Sequence, residues 1–265
     1  MRVGPKGLFS VAGKVAVITG ASGGIGTALV NGFAELDASI LAVDIVEPQQ
    51  LPAGAAFFLA DLRDPGAIPG IVRDAEARFG KVDILINNAG LGEKLRAEEM
   101  PLSVWNNTLT TNLTGSFLLS QAVGRGMIAR RSGKIVNIAS RCAFMGMPFS
   151  AAYNASKAGI VALTRTLAVE WALYDIQVNA IVPGVVRTPM NAHRDADPVE
   201  EQIFARTIPL GRISEPEDLL GATLFLSSPA SAYVTGSVVF VDGGNYMADG
   251  IGTEYRDHKL SRMGA

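Results

Sequence analysis

Seven short apolar runs, separated by amphipathic stretches, constrain this chain more than any other feature. "KVAVIT" (14–19), "SILAVD" (39–44), "AAFFLA" (55–60), "VDILIN" (82–87), "GKIVNIAS" (133–140), "IQVNAIV" (176–182) and "SVVFVD" (237–242) read as β-strands. Most are apolar at consecutive rather than alternate positions, the pattern of strands covered on both faces. Between them, the helical period predicts helices over about 24–36, 65–79, 102–130, 153–173 and 216–227. Pro65 and Pro216 fall where a first helical turn tolerates proline. Strand–helix–strand repetition with right-handed crossovers leads to an α/β fold with a doubly wound parallel sheet.

Residues 1–265 read as one domain, with no linker, repeat or low-complexity tract. Two stretches break the alternation. Residues 184–215, which include "HRDADPVEEQ", read as a mobile loop, and 246–265 read as a C-terminal tail without apolar period. The formal net charge of −2 and the absence of a Lys/Arg block argue against nucleic acid as a partner. No uncharged apolar run approaches the roughly 18 residues of a spanning helix, so no membrane partner is expected. Cys142 is the only cysteine, which excludes an intrachain disulfide and fits a cytoplasmic protein. The apolar patch near the N-terminus ends at Lys14, too soon for a signal peptide. His193 and His258 are the only histidines and stand far apart, so no metal site is expected.

The first strand runs into "TGASGGIG" at the start of the first helix. Gly20, Gly24 and Gly26 allow a tight turn and close approach of a ligand. The helix start behind them offers free N–H groups to a pyrophosphate. Asp44 ends the second strand, where a carboxylate can take a ribose 2′-hydroxyl and would repel a 2′-phosphate. NAD is therefore the expected cofactor. A glycine-rich turn without a ligand, and an acidic residue that merely closes a strand, are the plainer readings of each feature taken alone.

"TGASGGIG", "NNAG" (87–90), Asn112 in "TNLTGSF", Ser140 and "YNASK" (153–157) occur in this order along the chain. Together they resemble the short-chain dehydrogenase/reductase family over about residues 11–245, in particular its NAD-dependent sugar and polyol members. The resemblance implies a Rossmann-type α/β fold with a sheet of about seven strands. It implies pyrophosphate contacts at Gly20, Ser22, Gly24, Ile25 and Gly26, and a ribose contact at Asp44. Asp61 and Leu62 would edge the adenine, and Asn87, Ala89 and Gly90 would line the adenosine side. Pro183, Gly184, Val186 and Thr188 would orient the nicotinamide. Asn112, Ser140, Tyr153 and Lys157 would form the catalytic tetrad, with Tyr153 and Lys157 also touching the cofactor. In this reading Asn112 holds a water that links Lys157 to solvent.

Spacing adds a physical reason. Positions 153 and 157 share one helix face, so a lysine ammonium can sit near the phenol. A positive charge there favours phenolate and lowers the tyrosine pKa, making a proton carrier of a group that ordinarily titrates near 10.

The resulting function is hydride transfer between NAD and a secondary alcohol or ketone, such as a sugar carbinol. Arg141, Arg187 and His193 near the site suggest a polar, acidic sugar-type substrate. The plainer reading of these cations is a solvated surface. A 3-oxoacyl-thioester reductase and a non-catalytic NAD-binding regulator are the alternatives. The first conflicts with Asp44, because such reductases usually use NADPH. The second conflicts with the presence of both Tyr153 and Lys157. Family resemblance further implies a homotetramer built through the helices at 102–130 and 153–173.

Overall fold

The structure is a computed structural model that describes Gly4, residues 7–189 and residues 198–248. All seven predicted strands form: β1 (Val15–Thr19), β2 (Ser39–Asp44), β3 (Ala55–Leu59), β4 (Ile84–Asn87), β5 (Gly133–Ile138), β6 (Ile176–Pro183) and β7 (Val238–Val241). They make one parallel sheet in the order β3-β2-β1-β4-β5-β6-β7. The helices are α1 (Gly24–Ala34), α2 (Ile68–Phe79), α3 (Leu102–Leu109), α4 (Ser116–Arg130), α5 (Ala151–Trp171), α6 (Pro198–Thr207) and α7 (Leu220–Ser227).

The unbroken apolar runs have a direct cause. Side chains of neighbouring strand residues point to opposite faces. Ile18 and Ile40 join Leu29 and Phe33 of α1 and Leu226 of α7 on one face. Val17 and Leu41 join Ile71 of α2, Met127 of α4 and Leu167 of α5 on the other. Both faces are therefore core, and both strand positions must be apolar.

From β1 the sheet grows one way through β2 and β3 and the other way through β4 to β7. Its topological switch point lies between β1 and β4. In open α/β sheets a ligand crevice forms there, beyond the carboxyl ends of the strands.

Several helices depart from expectation. The one expected over 65–79 begins only at Ile68, with Pro65 in the turn ahead of it. The one expected over 102–130 is split by a π-turn at Thr110–Gly115. Gly115 marks the reason: a Cβ there would come 2.8 Å from the Leu62 Cβ, so the wider turn presses its backbone against the loop after β3. The stretch expected to be loop contains α6. Pro198 opens it where a missing N–H costs nothing, and turn residues on either side hid a ten-residue helix in the sequence. Farther on, Pro216–Leu219 is a 3₁₀ turn leading into α7. Its capping box joins Glu215 and Asp218. Residues 249–265, most of the predicted tail, lie outside the described residues.

Candidate active site

A cleft of about 550 Å³ opens at the switch point. Gly20, Ser22, Gly23, Gly24 and Ile25 form its floor at the start of α1. Gly20 has φ +65°, and a Cβ there would come within 2.8 Å of the Ala89 backbone, so only glycine fits. Gly26 does not line the cleft. A Cβ there would come 1.9 Å from the Gly20 oxygen, so Gly26 lets α1 sit against the turn behind the floor. The α1 N-cap is Gly23, with no side-chain cap and no acidic residue in the first turn. The helix start therefore keeps its donors and its positive dipole end for an anion.

Asp44 lines the same cleft and is held rigidly. Its Oδ2 accepts from the Ser22 N–H at 2.9 Å, and its Oδ1 accepts from the N–H groups of Ile45 at 2.7 Å and Val46 at 3.3 Å. Asp61 and Leu62 line the wall beyond β3, and with them Arg63, which the sequence did not single out. Hydrogen bonding to Arg63 holds the Asp61 carboxyl below its ordinary pKa.

Of the residues at the end of β4 and just after it, Ala89 and Gly90 line the cleft, and Asn87 does not. Asn87 is buried against α4 and β5, where its amide donates to Ser120 Oγ and Asn137 Oδ1. Asn88 lines the cleft instead, donating to the carbonyls of Thr19 and Gly20 and pinning the glycine turn. Strand alternation separates the two asparagines, and the doubled "NN" was the only signal. Thr111, also missed, lines the cleft with a buried hydroxyl that has no protein partner. Pro183, Gly184, Val186 and Thr188 line the far wall.

Ser140, Tyr153 and Lys157 meet in the same cleft. Ser140 ends the segment after β5, and its Oγ accepts from the Cys142 N–H at 3.2 Å. Tyr153 and Lys157 come from α5. A Cβ on Gly92 would come 2.8 Å from the tyrosine ring, and one on Gly90 3.3 Å from the lysine Nζ. These two glycines make room for the pair. The ammonium donates to the Ile138 carbonyl at 2.8 Å and lies 5.7 Å from the Tyr153 ring centroid.

Electrostatics differ from the sequence reading, in which lysine lowers the phenol pKa. Burial pushes Tyr153 up to about 12, with the Ser140 hydroxyl pulling it back. Burial also pulls Lys157 down to about 8. In the free protein burial sets the direction of both shifts.

Asn112 sits behind the cleft wall, 1% exposed, with its amide bonded to Leu91 and Ser156. Neither predicted substrate arginine lines the cleft. Arg187 is committed to Glu201 at 2.6 Å and Glu215 at 3.1 Å. Arg141 is buried and donates to Asn245 Oδ1. His193 lies outside the described residues. Among the described residues no three His, Cys, Asp or Glu side chains gather as metal ligands, and no helix is long and apolar enough to cross a membrane.

An uncapped helix start on glycine, a fixed carboxylate at the end of β2 and an unpartnered hydroxyl on the wall suit the phosphates and ribose of a dinucleotide. Comparison with known proteins agrees. Residues 20–245 match the family model described as enoyl-(acyl carrier protein) reductase. The chain is 40% identical over 242 residues to the NAD-dependent glycerol dehydrogenase of Listeria innocua, covering 89% of this chain and 95% of that one. It is 41% identical over 244 residues to the 2-dehydro-3-deoxy-D-gluconate 5-dehydrogenase of Escherichia coli, covering 89% and 96%. Among solved structures, a gluconate 5-dehydrogenase from Burkholderia cenocepacia in complex with NADP and tartrate superposes with a TM-score of 0.86. It is 34% identical, over 91% of this chain and 98% of that one. The fold and cleft define a nicotinamide-dependent oxidoreductase acting on CH–OH groups. The chain belongs to the short-chain dehydrogenase/reductase family.

Proposed function

We propose that this chain is an NAD-dependent dehydrogenase that interconverts a secondary alcohol and a ketone on a polyol or sugar acid. One observation carries the reading: Ser140, Tyr153 and Lys157 line the same cleft as the glycine turn and Asp44. A bound nicotinamide dinucleotide supplies or accepts the hydride.

The protein's own residues position the substrate and handle its proton. With its pKa near 12, the Tyr153 phenol is protonated at neutral pH, ready to donate to a ketone oxygen. In the alcohol-oxidising direction it must take a proton, and the ammonium of Lys157 one turn away favours the phenolate that does so. The Ser140 hydroxyl holds the same substrate oxygen. Asn112 acts behind them through Leu91.

Asp44 supports NAD over NADP: its carboxylate lines the cleft beside the glycine turn, and a 2′-phosphate brought against it would be repelled. That also weighs against an acyl-thioester reductase. The substrate class rests on the names of the relatives, glycerol and sugar-acid dehydrogenases, and no longer on Arg141 or Arg187. One domain carries both binding and catalysis, in a cytoplasmic homotetramer. Exposed Leu102, Phe117 and Val169 on α3, α4 and α5 support that assembly, which light scattering measures.

The test combines a substrate screen with a variant. Glycerol, threitol, gluconate and their keto forms are offered with NAD or NADH while absorbance of the reduced cofactor is followed. Tyr153→Phe is expected to lower kcat by about 10²- to 10⁴-fold, with NAD affinity unchanged by calorimetry. Retention of most of kcat would overturn the assignment.

A further inference from the structure

Arg63 lines the cleft with Asp44, Val46, Asp61 and Leu62, and three of its five guanidinium N–H groups are engaged by neighbouring side chains. Nε donates to Asp61 Oδ1 and Oδ2, both at 2.9 Å, and Nη2 donates to Oδ2 at 2.5 Å. Nη1 reaches across to Asn107 Oδ1 of α3 at 3.0 Å. The Asp61 carboxylate is equally committed. Oδ1 also takes the Arg63 N–H at 2.9 Å, so each oxygen already accepts two hydrogen bonds.

Two consequences follow. Asp61 has little capacity left to read the edge of a base. Arg63 is pinned in its own plane by Asp61 on one edge and by Asn107 on another, and a planar cation held from two sides keeps its flat faces. A guanidinium face is a good surface for a heteroaromatic ring, and one whose rotamer is already fixed loses little entropy on stacking.

We propose that Arg63 is a cofactor-positioning residue whose clamped guanidinium face forms a stacking wall for the adenine ring, with Asp61 and Asn107 serving as its clamp. This rests on the dinucleotide reading of the cleft. The function is one of shape and planarity rather than net charge, since Asp61 balances the cation.

The experiment is calorimetric binding of AMP, NAD and nicotinamide mononucleotide to wild type, Arg63→Ala, Arg63→Lys and Asn107→Ala. AMP and NAD should bind about tenfold more weakly to Arg63→Ala. Arg63→Lys, which keeps the charge without the plane, should lose nearly as much. Asn107→Ala, which frees one side of the clamp, should show a smaller loss. Affinity for nicotinamide mononucleotide should not change in any variant. The proposal is overturned if Arg63→Ala binds AMP as wild type does, if Arg63→Lys retains full affinity, or if mononucleotide binding falls in parallel. A wild type that binds neither AMP nor NAD would instead remove the dinucleotide reading itself.

Discussion

The side chain of Asn112 takes both main-chain polar groups of Leu91: its Oδ1 accepts from the Leu91 N–H at 2.8 Å and its Nδ2 donates to the Leu91 carbonyl at 2.9 Å. The second amide hydrogen goes to Ser156 Oγ at 2.9 Å, on the helix that carries Tyr153 and Lys157. The π-turn is thus sewn to the loop after β4 and to α5. Asn112→Ala would leave the part-buried N–H and carbonyl of Leu91 without this partner. It should destabilise the protein by about 1–3 kcal/mol and lower kcat without a comparable loss of NAD affinity. Urea unfolding and calorimetry measure the two effects.

Asp44 gives a cofactor prediction. The wild type should favour NAD over NADP by on the order of 100-fold in kcat/KM, because a 2′-phosphate brought against the fixed carboxylate would be repelled. Replacing Asp44 by Ala and Ile45 by Arg should shrink or invert that ratio. Equal kcat/KM for the two cofactors in wild type would remove Asp44 from its assigned role.

Lys157 makes stability depend on pH in a defined window. Its pKa falls from 10.5 in the unfolded chain to about 8 in the folded one. Between these values the unfolded chain binds the extra proton, so stability from this residue rises with pH, at most about 1.4 kcal/mol per pH unit. Below pH 8 the burial cost is fully present, and above 10.5 it is gone. Lys157→Met should lose this slope. Denaturant melts from pH 7.5 to 10.5 on both proteins measure it, and parallel curves would contradict the assignment.

Arg187 separates two views of the substrate. Its guanidinium is taken by Glu201 and Glu215, so Arg187→Ala should raise KM for gluconate and for glycerol by similar factors. A loss confined to the acidic compound would restore the anion-binding role suggested by the sequence. Stability should change by less than about 1 kcal/mol, as for exposed ion pairs.

What the sequence made legible follows from local physics. The strands were readable because two covered faces force continuous apolar runs, and the glycine turn because Gly20 needs positive φ. Ser140, Tyr153 and Lys157 were readable as a familiar spacing. Asn88 escaped because only strand pleating distinguishes it from Asn87. Arg63 escaped because its partner Asn107 is 44 positions away. The lowering of the Tyr153 pKa failed because spacing shows that charges can meet but not how much water they lose.

The π-turn at Thr110–Gly115 also sets the phase of everything after it. An α-helix advances about 100° per residue, and a π-turn absorbs one residue that an α-helix would have counted. Deleting a single residue here would therefore act less as a shortening than as a rotation. Either Asn112 would swing away from Leu91, or Leu119, Val123 and Met127 would turn out of the core they share with β5. The helix thus behaves as two gears meshed at one tooth, and only a change of length that restores the mesh keeps both halves in place.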